Sequence, residues 1–367
     1  MKRTASATVA ALLAAASLPG WAQNDLEKKQ LEQRIQQLEE KVDALAATQV
    51  HPTTAPATSI GGYGELHYNN IEGKSPTFDF HRFVLFFNHT FSENLKLYSE
   101  LELEHAISGD GQKGEVELEQ AYLDWTLNDR VSLQGGVMLQ PIGFLNETHE
   151  PDTFYGVERP IVEKDIIPTT WWGAGVGMKV RNSGTGQWQL MVTEGLYDPS
   201  GTQIRKARQK SAKTRSESLG YTLAYRVSPA PGVNLGVSLF YQNDITQGDR
   251  SKTNEAVSAT LGEVHGQFEF GNATLKALYA QWRLSGTAAR QANRDEQTGY
   301  YLEPSYKLTE KLGAFARYSN WYTDADDKKD RWDVGVNYWL HPRAVLKADY
   351  QSQKDNSGFN LGIGYSF

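Results

Sequence analysis

The 367-residue sequence has no cysteine, which excludes disulfides, thiolate metal sites and cysteine nucleophiles. It also lacks a membrane-spanning helix. The apolar run from Val9 to Leu18, broken only by Ser17, is about ten residues long, against roughly 20 needed to span, and no later segment is apolar enough. Positive charge is not in excess: 37 Lys and Arg face 44 Asp and Glu, a net charge of −7, which argues against a nucleic-acid partner. Catalytic signatures are missing as well. The eight histidines show no HExxH-type spacing, and Gly173-x-Gly175-x-Gly177 lacks the helix a dinucleotide loop requires. No catalytic residue, metal site or cofactor is therefore expected. A hydropathy scan would class the chain beyond its N-terminus as soluble. That inference is unsafe, because strands of a membrane barrel alternate and average to low hydrophobicity.

Alternation is what the sequence does contain. In Phe359–Phe367 every odd position is Phe, Leu, Ile, Tyr or Phe, and every even one is Asn, Gly, Gly or Ser. A period of two marks a strand with one apolar and one polar face. A final strand oily on one side, polar on the other and ending in Phe fits a barrel with lipid outside and water inside. Lys2 and Arg3 before the apolar run, and Gly20-Trp21-Ala22 before Gln23, read as a secretory signal peptide over residues 1–22. Loss of Lys2 and Arg3 takes the net charge of −7 to −9 in the mature chain.

Residues 23–48 read as a short coiled-coil helix: Leu31, Ile35, Leu38, Val42 and Leu45 alternate spacings of four and three. β-branched residues at a with Leu at d favour a dimer in isolation. The alternative is one amphipathic helix against the barrel or its mouth. Residues 49–59, with Pro52 and Pro56, read as an extended linker. From residue 60 to 367 the chain alternates in sixteen segments: 60–70, 78–90, 95–104, 115–126, 131–139, 171–181, 187–196, 218–227, 233–243, 255–270, 273–284, 298–308, 312–322, 331–340, 344–352 and 358–367. The parity of 255–270 slips near Glu263, which predicts a bulge. Connections after even-numbered segments are short, and most after odd-numbered ones are long and polar. That asymmetry predicts an all-β fold, a 16-stranded antiparallel transmembrane β-barrel with both ends on the periplasmic side. The helix then projects into the periplasm. Sixteen strands enclose an aqueous channel, and the inward positions, rich in Gly, Ser, Thr, Asn, Gln and charge, predict a wet lumen.

The longest connection, 140–170, is the candidate constriction. It carries Glu147, Glu150, Asp152, Glu158 and Arg159 among apolar residues and prolines that point to packing. An extracellular lid is the other reading. The next long loop holds Arg205, Lys206, Arg208, Lys210, Lys213 and Arg215, six cations in eleven residues without an acid. These read equally as an anion-gathering funnel and as a loop that binds lipopolysaccharide phosphates. Strand parity turns Arg82, Lys179, Arg181, Arg226 and Arg317 to the lumen, and Glu100, Glu102 and Glu104 with them as an acidic wall. Paired carboxylates can bind calcium or move protons, but a period-two row is more often a solvated pore lining.

Several stretches carry a family likeness: Gly61–Asn69, Asp79–Phe83, Leu97–His105, Gly135–Phe144 and Ile167–Trp172. With the N-terminal coiled coil, they resemble the phosphate-selective porin O/P family over most of 60–367. The resemblance implies a homotrimeric porin of the bacterial outer membrane, in contact with lipid and lipopolysaccharide, whose lumenal arginines and lysines guide small ions or phosphate. The acidic 140–170 loop and Glu-rich third and fourth strands depart from a pure anion pore. The expectation is a water-filled channel for passive diffusion of small hydrophilic solutes, with anion or phosphate preference. An outer-membrane barrel enzyme and an envelope-tethering barrel are the alternatives.

Overall fold

The computed structural model describes residues 57–367, apart from 107–110 and 112–113. The signal segment 1–22, the helix 23–48 and the first part of the linker lie outside the described residues. Sixteen strands run in order: β1 (Ala57–Ile71), β2 (Thr77–Ser92), β3 (Leu95–Glu104), β4 (Val116–Thr126), β5 (Val131–Leu139), β6 (Trp172–Arg181), β7 (Gln187–Thr193), β8 (Gly220–Ala230), β9 (Val233–Gln242), β10 (Ala259–Phe270), β11 (Ala273–Leu284), β12 (Glu296–Lys307), β13 (Leu312–Tyr322), β14 (Lys329–His341), β15 (Ala344–Ser352) and β16 (Gly358–Ser366). Each pairs with its sequence neighbours, and β16 closes on β1 through pairs such as Tyr63↔Ser366 and Leu66↔Ile363. Closure leaves no unpaired edge, as a lipid environment demands.

The period of two decides which face meets lipid. On β9, Leu235, Val237, Leu239 and Tyr241 are exposed outward, whereas Ser238 and Gln242 are buried inward. Aromatic residues gather at both ends of the outer wall. Trp125, Trp188, Phe270, Tyr306 and Phe367 lie by the short turns, and Phe78, Tyr221, Tyr300, Trp332 and Tyr350 by the long loops. These are the girdles of a membrane barrel, with amphipathic rings at the two interfaces.

Three sequence readings need correction. Residues 57–59 are not linker: Ala57, Thr58 and Ser59 pair with Thr90, His89 and Asn88 and begin β1. The bulge expected near Glu263 is absent, because β10 keeps register with both neighbours. The parity slipped there because the inward residues Ala259 and Leu261 are apolar and packed under loops. Bulges occur instead at His81 of β2, where Glu65 pairs with Arg82 but Leu66 with Phe80, and at Glu119 of β4. Nor is the lumen wet throughout. Phe240, Leu261, Leu278, Trp282 and Trp321 point inward from β9–β13 and pack on Ile142, Ile166, Ile167, Trp171, Leu196 and Ile204 of the two longest loops. There the lumen is filled by a packed apolar cluster.

Candidate functional site

The loop joining β5 to β6 (140–171) folds into the barrel instead of covering it. Its two ends are tied by buried Asn146, which donates to the carbonyls of Gln140 and Trp171 and accepts from Trp171 N, all at 2.7 Å. A five-residue helix, α1 (Ile161–Asp165), follows, and Glu163 of this helix accepts from the Phe144 and Leu145 amides and from Tyr301 of β12. Beyond these ties, wall side chains satisfy the loop's backbone, as an irregular segment buried in a barrel requires. Arg317 donates to Tyr155 O, Asn337 to Phe154 O, Lys347 to Gly156 O and Trp282 to Ile166 O, while Asp349 accepts from Val157 N. Glycines make room: a Cβ on Gly364 would lie 2.5 Å from Pro151 Cβ.

The acidic wall lies beneath this loop. Glu100 and Glu102 are 1 % and 0 % exposed, so they are no solvated lining as the period-two row predicts. His149 of the loop lies over them, its Nε2 3.3 Å from both Glu100 and Glu119. Burial opposes a charge on His149, but the two carboxylates outweigh it and raise its pKa to about 10. Arg82 reaches Glu65 at 2.8 Å and Glu102 at 3.4 Å. Only Glu104 of the predicted wall lines open space.

That open space is a cavity of about 280 Å³ between the loops and β1–β4. The β7–β8 loop (194–219) turns Arg205, Arg208 and Lys210 into it, so these three belong neither to a surface funnel nor to a patch for lipopolysaccharide. Arg205 donates to Lys164 O and Arg208 to Thr170 O, which seats one loop on the other. The cavity's cations are Arg82, Arg159, Lys164, Arg205, Arg208 and Lys210, and its carboxylates are Glu65, Glu104, Glu115, Glu117, Glu119 and Glu158. Pairing breaks the numerical balance. Arg82 holds Glu65, Lys210 holds Glu115 and Glu117, His149 meets Glu119, and His67 meets Glu158 at 3.1 Å. Contact with His67 keeps the Glu158 carboxyl well below its ordinary range although burial works the other way. Arg159, Lys164, Arg205 and Arg208 make no ion pair among the described residues. Arg159 Nη1 donates to Thr170 at 3.0 Å, and its buried Nη2 has no partner. Burial and the neighbouring Arg205 lower the Arg208 pKa to about 10, so the cluster is cationic at neutral pH.

The remaining predicted residues fall elsewhere. Arg317 is 1 % exposed and bonded to Glu303 at 2.7 Å as well as to the loop, so it holds the inward loop and is no solvated pore lining. Arg226 pairs with Glu147, whose carboxyl burial raises but Arg226 and Lys179 bring below its usual range. Arg181 is exposed at the short-turn end of β6. Lys206 lines a separate groove with Asp165 and Arg294. Arg215 stacks on Tyr197 and faces Asp249, and Lys213 is exposed. Asp152 accepts from Ser366 Oγ at 3.0 Å, and Glu150 keeps one buried oxygen unpartnered. Trp172 is buried and lines the cavity where the loop rejoins the wall. Sequence reading missed His67, His81 and His149. The signal for His149 was an acidic row without a counter-charge; for His81 there was none, since a bulge turns it inward beside Arg82.

Comparison with known proteins fits this architecture. A Gram-negative porin family matches residues 178–358. An uncharacterized protein of Aquifex aeolicus is 30% identical over 361 residues, covering 84% of this chain and 80% of that one. Among solved structures, an anion-selective porin from Comamonas acidovorans superposes with a TM-score of 0.57 at 14% identity, over 85% of this chain and 100% of the other. The outer membrane protein OmpT of Vibrio cholerae, in its trimer form, gives 0.57 at 13% identity, over 85% and 100%. Identities this low establish a shared fold.

Proposed function

We propose that this chain is a porin-like outer-membrane channel that prefers small anions of the phosphate class. The observation that carries the reading is the cluster of Arg159, Lys164, Arg205 and Arg208 on the cavity that the two inward loops build. Guanidinium groups present paired N–H donors that match oxyanions, and within a low-dielectric wall their field on a passing ion is stronger than in water. Most carboxylates nearby are engaged by Arg82, Lys210, His149 and His67; Glu104 alone of them makes no ion pair among the described residues, against four unpaired cations, so the unpaired charge facing a solute is mainly positive. The solved anion-selective porin of the same fold supports this choice. Homotrimeric assembly with the periplasmic helix as a tether completes the proposal; a trimeric barrel of the same fold supports the former.

The test is a reversal potential in planar bilayers under a KCl gradient. Anion preference is expected, with conductance in KCl falling when phosphate is added. The variant Arg159→Gln/Arg205→Gln/Arg208→Gln should move the potential toward zero or past it. Cation preference in the native channel would refute the proposal. Since folding of the variant can be followed by heat-modifiable migration, a lost selectivity is separable from a lost barrel.

A further inference from the structure

Around His149 several buried polar atoms lack a hydrogen-bond partner, although Glu100 accepts from Gln120 Nε2 at 2.6 Å and from the Tyr63 hydroxyl at 3.4 Å. Glu100, Glu102, Glu119 and His149 are between 0 % and 3 % exposed. Both oxygens of Glu102, Oε2 of Glu119 and both ring nitrogens of His149 have no hydrogen-bond partner. Of the three carboxylates, only Glu102 reaches the guanidinium of Arg82, at 3.4 Å, and Arg82 already binds Glu65.

The spacing identifies what suits the group. His149 Nε2 stands 3.3 Å from Glu100 Oε1 and 3.3 Å from Glu119 Oε2. A charge-assisted hydrogen bond would close to roughly 2.8 Å. Ligands at about 2.0–2.1 Å around a tetrahedral ion, by contrast, lie about 3.3 Å apart along each edge. One donor atom from each of Glu100, Glu119 and His149 falls within 4.8 Å of the others. We propose that Glu100, Glu119 and His149 form a binding site for a divalent cation of the zinc class, with Glu102 as neighbouring charge. An imidazole nitrogen among carboxylate oxygens selects Zn²⁺ and related transition ions over Ca²⁺ or Mg²⁺. Glu119 also lines the cavity, which gives the ion a route from the lumen. Glu100 is on β3, Glu119 on β4 and His149 on the inward loop, so the ion staples the constriction to the wall.

A second triad near the long-loop rim, Asp79, His81 and His105, offers a contrast. Arg82 donates to His81 Nε2 at 3.0 Å, and Nδ1 of the same ring reaches Asp79 at 3.1 Å. His105 reaches Asp79 at 2.8 Å. Protons already satisfy that group.

The full-length protein in detergent is stripped with EDTA, dialysed and titrated with Zn²⁺, and bound metal is measured by mass spectrometry. About one ion per chain is expected in the native protein and in His105→Gln, with affinity lowered at least about tenfold in His149→Gln and Glu119→Gln. Barrel folding is checked by heat-modifiable migration; should Glu119→Gln not fold, His149→Gln, a loop substitution, decides. No Zn²⁺ retained by the native protein, equal binding by His149→Gln, or loss confined to His105→Gln overturns the proposal. Displacement of Zn²⁺ by an equal concentration of Ca²⁺ overturns it too.

Discussion

Arg208 and Arg317 both turn into the lumen, and their surroundings give them opposite tasks. Arg317 is enclosed by Glu303, Asp333 and the Tyr155 carbonyl. Arg208 lines open space and has carbonyl partners only. Removing one partner of a buried pair strands the other. Arg317→Gln should therefore lower the stability of the barrel by about 3–5 kcal/mol, read as a lower temperature of heat-modified migration. Arg208→Gln should leave that temperature nearly unchanged and shift the reversal potential alone. In the protein stripped of divalent metal with EDTA, His149 supplies a pH prediction. Its folded-state pKa of about 10 lies above the ordinary value of about 6.5. The stability it contributes is thus complete below about pH 6.5 and is lost as pH rises through about 10. Channel recordings should show flickering that grows between pH 9 and pH 11, roughly the window set by that pKa, and His149→Gln should flicker at neutral pH.

Among the elements, the inward loop is a packed structure and not a flap. Trp171, Phe240 and Trp282 meet edge-on or tilted with centroids 5.0–6.0 Å apart, and the wall satisfies the loop's carbonyls. On the opposite wall, the missing side chain of Gly364 admits Pro151. Gly364→Leu should displace the loop at an overpacking cost of about 1–3 kcal/mol and change unit conductance, while circular dichroism stays β-rich. Unaltered conductance in a folded variant would show that this contact does not set the constriction.

For the whole molecule, stability depends on which solvent meets which face. Val237 stands near the middle of β9, paired with Tyr225 and Val264, and is 49 % exposed on the outer wall. In lipid that exposure is favourable, and a cation there costs about 2–4 kcal/mol at midplane depth. Val237→Lys should unfold at lower denaturant in vesicles. Asn234→Lys, on the lumenal parity of the same strand, should fold normally. Equal effects of the two would contradict the assignment of faces.

Strand number, strand position and membrane-facing side were written in the sequence, because a period of two is local and each strand carries its own copy. Leu312–Tyr322, Ala273–Leu284 and Ala344–Ser352 fall where the alternation places them. The packing of residues 140–170 was also legible, since they are both the longest connection and apolar enough to pack. What tertiary structure alone decided is which charges remain available to a solute. Strand parity assigns Arg317 and Arg82 the same face as any pore lining, yet both are used up by neighbours distant in sequence. The Arg205–Lys210 segment gains its place from the loop it rests on. His149 meets Glu100 and Glu119 only because a loop crosses the lumen. Alternation is set by sterics within one strand; charge pairing is set by distances between segments, and those exist only once the barrel has closed.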